Sequence, residues 1–403
     1  MVGEYSRGEA ANRAGVDSGY IDRLIELGII GPDAADRLTK GDVRRAQMAQ
    51  TLETAGIALE ALAVSIRDGS QSLDFMDAST YERFATLSDE TFEGLSERTA
   101  LPLDLLMLIR EAAGGAMPNP HDRIREDELA VVPLIEAGLA MGFRPISIAR
   151  RLRVLGDSLR RVAETEADAY RTDLMEPMLA DGATAAALSA TSTSADTLRL
   201  DQAMDEAVIA IWHAQQVRPW KADIIAIFEK SMTDAGLLAP IFRPPAICFL
   251  DITGYTRLTH EQGDNAAAEL AEDLGRLVQR TAIQHGGRPV KWLGDGVMIF
   301  FRDPGSGVLA ALEMVEGVAS AGLPPAHVGL HAGPVLSQEG DYFGETVNLA
   351  SRIAAYARPR EVLVTQKVVD ESAAVGAIFT EIGPVELKGI PGVIRLHAAH
   401  RLA

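Results

Sequence analysis

The sequence predicts an α/β domain at the end of a mostly helical chain, and three observations carry that expectation. From about Gln71 to Leu238 apolar residues recur at helical spacing, in Leu103 to Ala112, Glu128 to Met141, Ile146 to Tyr170 and Ala203 to Met232. β-branched alternation is sparse there, so this stretch reads as all-helical. After Pro240, Pro244 and Pro245 the pattern changes to short apolar runs, with strands expected near 246, 290, 297, 327 and 362. Glycine-centred turns then separate these runs.

In chain order, Ser6 to Ala14, Ser18 to Leu27 and Gly41 to Ala55 read as short helices with turns at Gly15-Val16 and Gly31-Pro32. The pattern Gly8-Glu9-Ala10-Ala11-Asn12-Arg13-Ala14-Gly15-Val16, Leu27-Gly28-Ile29-Ile30 and Arg37-Leu38-Thr39-Lys40-Gly41-Asp42-Val43 resembles the winged helix-turn-helix of MerR-type regulators. That resemblance implies DNA binding, yet the second helix carries Asp22 and Glu26 against Arg23 alone. A recognition helix normally leads with basic and amide side chains, so a nucleic-acid partner is not expected. Asp181 to Leu198, rich in Ala, Ser and Thr, reads as a loop or joint, and the last helix before the prolines should end near Gly236. The expected division is 1–70, 71–238 and 239–403.

Composition narrows the function classes. A chain of 403 residues with 47% apolar and 24% charged residues has room for two or three ordinary soluble domains. Its formal net charge of −19 opposes binding to nucleic acid and anionic membrane. The single cysteine, Cys248, excludes an internal disulfide framework and reads as a packed core residue. No charged-then-apolar leader opens the chain, and the apolar stretch Val131 to Ala149 is interrupted by Glu136, Arg144 and Pro145. A cytoplasmic protein with no membrane partner is expected. No phosphate-binding Gly-Lys-Ser/Thr loop, zinc-spaced His/Cys cluster or Gly-x-Ser-x-Gly elbow is present.

The chemistry gathers in three pieces. Phe249-Leu250-Asp251-Ile252-Thr253-Gly254-Tyr255-Thr256 ends an apolar strand on a carboxylate, and Gly254 allows a sharp turn into a helix expected to begin near Leu258. Lys291-Trp292-Leu293-Gly294-Asp295-Gly296 presents a second carboxylate at a tight hairpin between Pro289 to Leu293 and Val297 to Phe301. Two such carboxylates can hold hard divalent cations that clamp a polyphosphate. The third piece, Gly340-Asp341-Tyr342-Phe343-Gly344-Glu345-Thr346-Val347-Asn348-Leu349-Ala350-Ser351-Arg352, enters a helix on which Asn348 and Arg352 share one face. The guanidinium suits the charge that develops on a phosphoryl group, and the amide can position a ribose oxygen.

With these motifs the chain resembles the class III nucleotide cyclases over roughly Arg243 to Leu402. The resemblance implies a ferredoxin-like catalytic domain with helices on one sheet face. It implies Asp251 and Asp295 as ligands of two Mg²⁺ or Mn²⁺ ions, assisted by the Ile252 carbonyl, with Asn348 and Arg352 as the transition-state pair. Lys291 and Asp341 would read the purine, and Lys388 in Val385-Glu386-Leu387-Lys388-Gly389-Ile390 would add a phosphate contact. A Lys donor and an Asp acceptor complement adenine N1 and N6, whereas guanine reverses that pattern, which favours ATP over GTP. The implied activity is adenylate cyclase, working as a head-to-tail homodimer whose sites draw on both chains. The competing reading is a catalytically silent regulator acting through the helix-turn-helix. No general base stands out, and His331 reads as strand-borne and structural.

The stretch from Leu95-Ser96-Glu97-Arg98-Thr99-Ala100-Leu101-Pro102 to Arg151-Leu152-Arg153-Val154-Leu155-Gly156-Asp157-Ser158-Leu159 resembles the regulatory domain of pH-sensing mycobacterial class III cyclases. The resemblance implies control of activity by the helical region, and a plain dimerising helical scaffold is the competing reading. His121 and His213 are the histidines preceding the catalytic domain.

Overall fold

A computed structural model describes residues 4–77, 85–238, 244–255, 260–261, 263–372 and 376–402. The chain divides into two compact units, Met1–Ile224 and Ile225–Ala403.

The first unit opens with α1 (Arg7–Ala14), α2 (Ser18–Leu27), α3 (Lys40–Thr54) and α4 (Leu59–Arg67). Ser6 with Glu9 and Thr39 with Asp42 form reciprocal capping boxes that satisfy the first amides of α1 and α3. Asp17 caps α2. The apolar faces of these helices close one core around Ile21, Leu24, Leu38 and Leu59. Several basic groups of this module are already engaged: Arg23 pairs with Glu53 and Glu60, and Arg7 with Asp22 and Asp36. Arg45 is nearly buried between Asp42 and Asp77.

A second core is built by β1 (Leu87–Thr91), α5 (Phe92–Thr99), α6 (Leu103–Ala112), β2 (Arg123–Arg125), α7 (Glu126–Leu129), α8 (Val132–Ala140) and α9 (Pro145–Tyr170). Phe92, Leu106, Ile124, Ile135, Ile148 and Leu152 lie at its centre. The antiparallel pair β1–β2 departs from the all-helical expectation. Its residues are charged and short in run, so periodicity alone carried no strand signal. Arg110 joins the fully buried Glu128 at 2.8 Å and donates to the Arg123 carbonyl, tying α6 to this strand pair. At Gly156 on α9 a Cβ would sit 2.4 Å from the Ala112 carbonyl oxygen, so α6 and α9 cross at a contact that only glycine permits.

After Arg171–Met175 come α10 (Glu176–Ala180), α11 (Ala185–Ser192) and α12 (Ala195–Asp234). The loop expected over 181–198 is therefore largely helical. Thr184 caps α11 through the Ala187 amide, a start signal that the Ala/Ser/Thr composition obscured. The end of α12 at Asp234 agrees with the expectation near Gly236.

The second unit contains β3 (Ala246–Ile252), α13 (Asp264–Gln284), β4 (Arg288–Leu293), β5 (Gly296–Phe301), α14 (Pro304–Ser320) and β6 (Ala326–Ala332). It continues through β7 (Leu336–Gln338), β8 (Asp341–Phe343), α15 (Glu345–Tyr356), β9 (Val362–Thr365), α16 (Gln366–Glu371), β10 (Ala377–Glu386) and β11 (Val393–Arg401). Among the described residues seven strands form one sheet in the order β10-β11-β9-β6-β3-β5-β4, and β7 pairs with β8 separately. β3-α13-β4-β5-α14-β6 is the βαββαβ unit of a ferredoxin-like fold, with its strands ordered β6-β3-β5-β4. β9 runs parallel to β6 after the α15 crossover. The β10–β11 hairpin adds an edge that the five expected strands did not include. The helix start expected near Leu258 lies outside the described residues.

Helices cover both sheet faces, which corrects the expectation of one. Ala246, Cys248, Leu250 and Ile252 join Val278, Val308 and Met314 in the larger core. Ile247 points the other way and packs with Met298, Tyr342, Val347 and Ala350. Alternation along an apolar strand supplies two buried faces at once. Gly329 on β6 allows α15 to lie against the second face, because a Cβ there would stand 2.0 Å from the Ala354 backbone nitrogen. Gly329→Ala is expected to cost about 3 kcal/mol, measured by denaturant unfolding, and to displace the helix that carries Asn348 and Arg352.

Candidate active site

The second face of the sheet ends in the chemistry. Asp251 is opposite Gly296 of β5 and His327 of β6 in the strand register, so it lies between two neighbouring strand ends. Gly254 (φ 85°) and Gly294 (φ 70°) supply the left-handed backbone that turns the chain away on either side. Asp295 precedes Gly296, and a Cβ at Gly296 would stand 3.2 Å from Asp251 Oδ1. The two carboxylates are thereby neighbours. Partial burial pushes the Asp251 carboxyl above its usual range, and the Asp295 carboxylate pushes it further the same way. His327 and the Ile252 amide, which donates to Asp251 Oδ1 at 3.2 Å, oppose that shift.

Two acidic groups brought close at a strand end fit a hard cation, whose charge would relieve both their repulsion and their desolvation. Among the described residues no group of three or more His, Cys, Asp or Glu side chains could hold a metal ion. The pair matches Mg²⁺-like sites, which use one or two carboxylates and complete their shell with water and substrate phosphate.

The sign of the Asp251 shift has a consequence for stability. The folded protein retains this proton more tightly than the unfolded chain, so metal-free stability falls as pH rises from the ordinary carboxylate range through Asp251's raised value. Asp251→Asn is expected to melt slightly higher than wild type without metal at pH 7. Solvent reaches 44% of this side chain, so the gain should stay below about 1 kcal/mol. The difference should vanish below about pH 3, where the carboxyl is protonated in both states. Paired thermal melts across pH check it.

Lys291 on β4 and Asp341 on β8 are brought together, with Nζ 2.5 Å from Oδ2. Lys291 also lies 5.7 Å from the Phe343 ring centroid. Three residues that sequence reasoning passed over hold this corner. Phe300 and Tyr342 stack with centroids 4.5 Å apart at 7°, and Arg288 donates to the Tyr342 hydroxyl at 2.9 Å. The stack anchors β8 to the sheet and so positions Asp341. Its only trace in the sequence was an aromatic residue beside each motif. His327 was passed over too: its Nε2 lies 3.6 Å from Asp251 Oδ2 and its Nδ1 is 3.2 Å from Thr253 Oγ1. That pairing depends on strand register, which the sequence does not display.

Asn348 and Arg352 share the exposed face of α15, while Val347, Ala350 and Ile353 are buried beneath it. Among the described residues neither side chain has a hydrogen bond or ion pair to Asp251, Asp295, Lys291 or Asp341. Lys388 is exposed between β10 and β11, and β11, β9 and β6 separate β10 from β3 in the sheet. One chain does not bring Lys388 to the carboxylate pair. His331 is mostly buried against Thr365 Oγ1 at 2.8 Å, and burial, with Lys367 adding to it, lowers its pKa to about 4. Burial pushes the Cys248 thiol up to about 12. Both are inert packing groups at neutral pH, as read from their strands.

Residues 241–400 match the family model for the adenylate and guanylate cyclase catalytic domain. This segment is a class III cyclase catalytic domain. The chain therefore carries an enzyme's catalytic domain behind a helical region. The pH-sensitive adenylate cyclase MT1302 of Mycobacterium tuberculosis is 28% identical over 331 residues, covering 76% of this chain and 77% of that protein. An adenylate cyclase of Streptomyces coelicolor is 30% identical over 240 residues, 59% of this chain and 58% of the relative. The adenylyl cyclase CyaB of P. aeruginosa, a solved structure, aligns with a TM-score of 0.35 and 22% identity, covering 39% of this chain and 94% of that one. Class III cyclase domains are metal-dependent in general. No helix among the described residues is long and apolar enough to cross a membrane.

Proposed function

We propose that the chain is an adenylate cyclase that converts ATP to 3′,5′-cyclic AMP and pyrophosphate. The observation that carries this reading is the pairing of Asp251 with Asp295 at adjacent strand ends of a cyclase domain. Asp251, Asp295 and the Ile252 carbonyl would hold Mg²⁺ or Mn²⁺, two ions per site. When bound, such ions acidify the ribose hydroxyl and neutralise the polyphosphate. Lys291 donates to adenine N1 and Asp341 accepts from N6, which orients the base. Asn348 fixes the ribose, and Arg352 meets the charge that grows on the α-phosphoryl oxygens. The 3′-oxygen forms a bond to the α-phosphorus, the bond from the α-phosphorus to the bridging oxygen breaks, and pyrophosphate departs. The hydroxyl proton passes to solvent.

Among the described residues Arg352 and Asn348 have no hydrogen bond or ion pair to Asp251 or Asp295, which supports a head-to-tail homodimer whose sites combine two copies. Lys388 would then reach the phosphates of a site completed by the partner. The division into 1–70, 71–238 and 239–403, with cytoplasmic location and no nucleic-acid partner, belongs to the same reading. The neutralised Arg7 and Arg23 support the last point.

Incubating purified protein with ATP or GTP and Mn²⁺, then identifying the product, tests the assignment. Cyclic AMP from ATP is expected. Absence of either cyclic nucleotide from folded, dimeric protein would leave the silent-regulator reading in its place. Control by the helical region belongs to the proposal as well. His121 lies 2.9 Å from Glu93 and is exposed, and His213 neighbours Trp212 on α12. Identical pH–activity profiles for the whole chain and a piece beginning near Leu238 would remove that control.

A further inference from the structure

Asp251 stands between two strands, and each neighbour meets a different oxygen of its carboxylate. On the β5 side Gly296 leaves Oδ1 room, since a Cβ there would stand 3.2 Å away, and the Ile252 amide donates to the same oxygen at 3.2 Å. On the β6 side His327 is directly opposite in the antiparallel register, so the two side chains rise from the same face of the sheet. Its Nε2 lies 3.6 Å from Oδ2.

The imidazole is the better fixed of the two groups. Its side chain is 12% exposed against 44% for Asp251, and its chain neighbours Ala326 and Val328 are buried in the larger core on the opposite face. The carboxylate, by contrast, turns about a broad torsion. Thr253 Oγ1 lies 3.2 Å from Nδ1, and a hydroxyl that donates there leaves the ring proton on Nε2. The ring then has its one N–H on the side of Oδ2. A turn of the carboxylate that brings Oδ2 about 0.6 Å nearer completes a hydrogen bond of ordinary length.

Repulsion between neighbouring carboxylates drives Asp251 to swing away from Asp295, and that swing must be reversed before one cation can meet both. A donor on Oδ2 restrains it. The oxygen keeps lone pairs for a metal, and a neutral partner of this kind orients a ligating carboxylate and raises its affinity without touching the ion. We propose that His327 is a positioning residue: its Nε2–H, set by Thr253, holds Oδ2 of Asp251 so that the carboxylate faces a divalent cation shared with Asp295. This role rests on the reading of Asp251 as a metal ligand. His327 is not itself a third ligand, because among the described residues no group of three His, Cys, Asp or Glu side chains could hold an ion.

Binding of Mn²⁺ alone to the full-length chain tests it, with free Mn²⁺ counted by electron paramagnetic resonance and the fold followed by thermal melts. The binding read is the component that Asp251→Ala removes. His327→Leu is expected to weaken that component at least about tenfold. His327→Gln, whose amide nitrogen can donate to the same oxygen, should stay within about threefold of wild type. Thr253→Val, at an exposed position, frees the ring tautomer and should weaken binding about threefold or more while melting like wild type. A histidine that only packs would change the melting temperature and leave Mn²⁺ affinity where it was. Unchanged affinity in folded His327→Leu therefore overturns the role, and if that variant does not fold, unchanged affinity in Thr253→Val overturns it. Nitrogen coupling to bound Mn²⁺ in electron spin-echo spectra, lost in His327→Leu, would make His327 a ligand and overturn it too. If Asp251→Ala removes no Mn²⁺, the metal reading falls and this role with it; if Asp251→Ala removes the ion while His327→Leu and Thr253→Val bind as wild type, this role alone falls.

Discussion

Asp251→Ala and Arg352→Ala are each expected to lose activity by about 100-fold or more, and a mixture of the two is expected to recover it. Asp251→Ala removes a carboxylate from the pair at the β3 and β5 strand ends. Arg352→Ala removes from the exposed face of α15 a guanidinium that has no hydrogen bond or ion pair to that pair among the described residues. If each site combines Asp251 of one copy with Arg352 of the other, a heterodimer gathers both defects in one site and leaves its second site intact. Random subunit exchange with independent sites then restores about a quarter of wild-type activity. The measurement is cyclic nucleotide formation after co-refolding, with heterodimer content established by mass spectrometry. A silent mixture that contains heterodimers would remove the shared site and, with it, the roles divided between the two chains.

Replacing Lys291 and Asp341 together with alanine is expected to reduce the preference for ATP over GTP by about 100-fold, while metal-dependent turnover persists. The two side chains neutralise one another at 2.5 Å and are held by β4 and β8 rather than by the carboxylate pair. Removing both avoids leaving a lone charge in the base pocket, so the loss should fall on discrimination before it falls on chemistry. Ratios of kcat/KM for the two nucleotides, with far-ultraviolet circular dichroism as a fold control, read this out. An undiminished preference for ATP in the folded double variant would assign base recognition to other residues.

The contrast between Asp251 and His327 shows what a linear pattern can carry. Asp251 was legible because an apolar run, a carboxylate and a glycine turn are adjacent along the chain, and local backbone preferences act over that distance. The same holds for the Gly294-Asp295-Gly296 hairpin and for Asn348 and Arg352 on α15. The βαββαβ core followed from four recognisable strands, near 246, 290, 297 and 327, each with apolar residues at a period fixed by the pleat. His327 became visible only with the β3–β6 register, because pairing across strands joins residues 76 positions apart that no local preference relates.

Helices on both sheet faces, the β10–β11 edge and the small β1–β2 pair belong to the same class. Each depends on which neighbouring surface an element buries, and several neighbours compete for every apolar face. The stack of Phe300, Tyr342 and Arg288 likewise required β5, β8 and β4 to meet in space. By itself the sequence determined the cyclase domain and pointed to the acidic, basic and amide groups proposed for its site, because these reside in short motifs governed by local turn and strand chemistry. The tertiary structure alone decided that Asp251 and Asp295 are neighbours, that Lys291 meets Asp341, and that Lys388 follows a strand separated from β3 by three others. Those relations come from strand register and from long-range burial of apolar surface, which act between residues far apart in the chain.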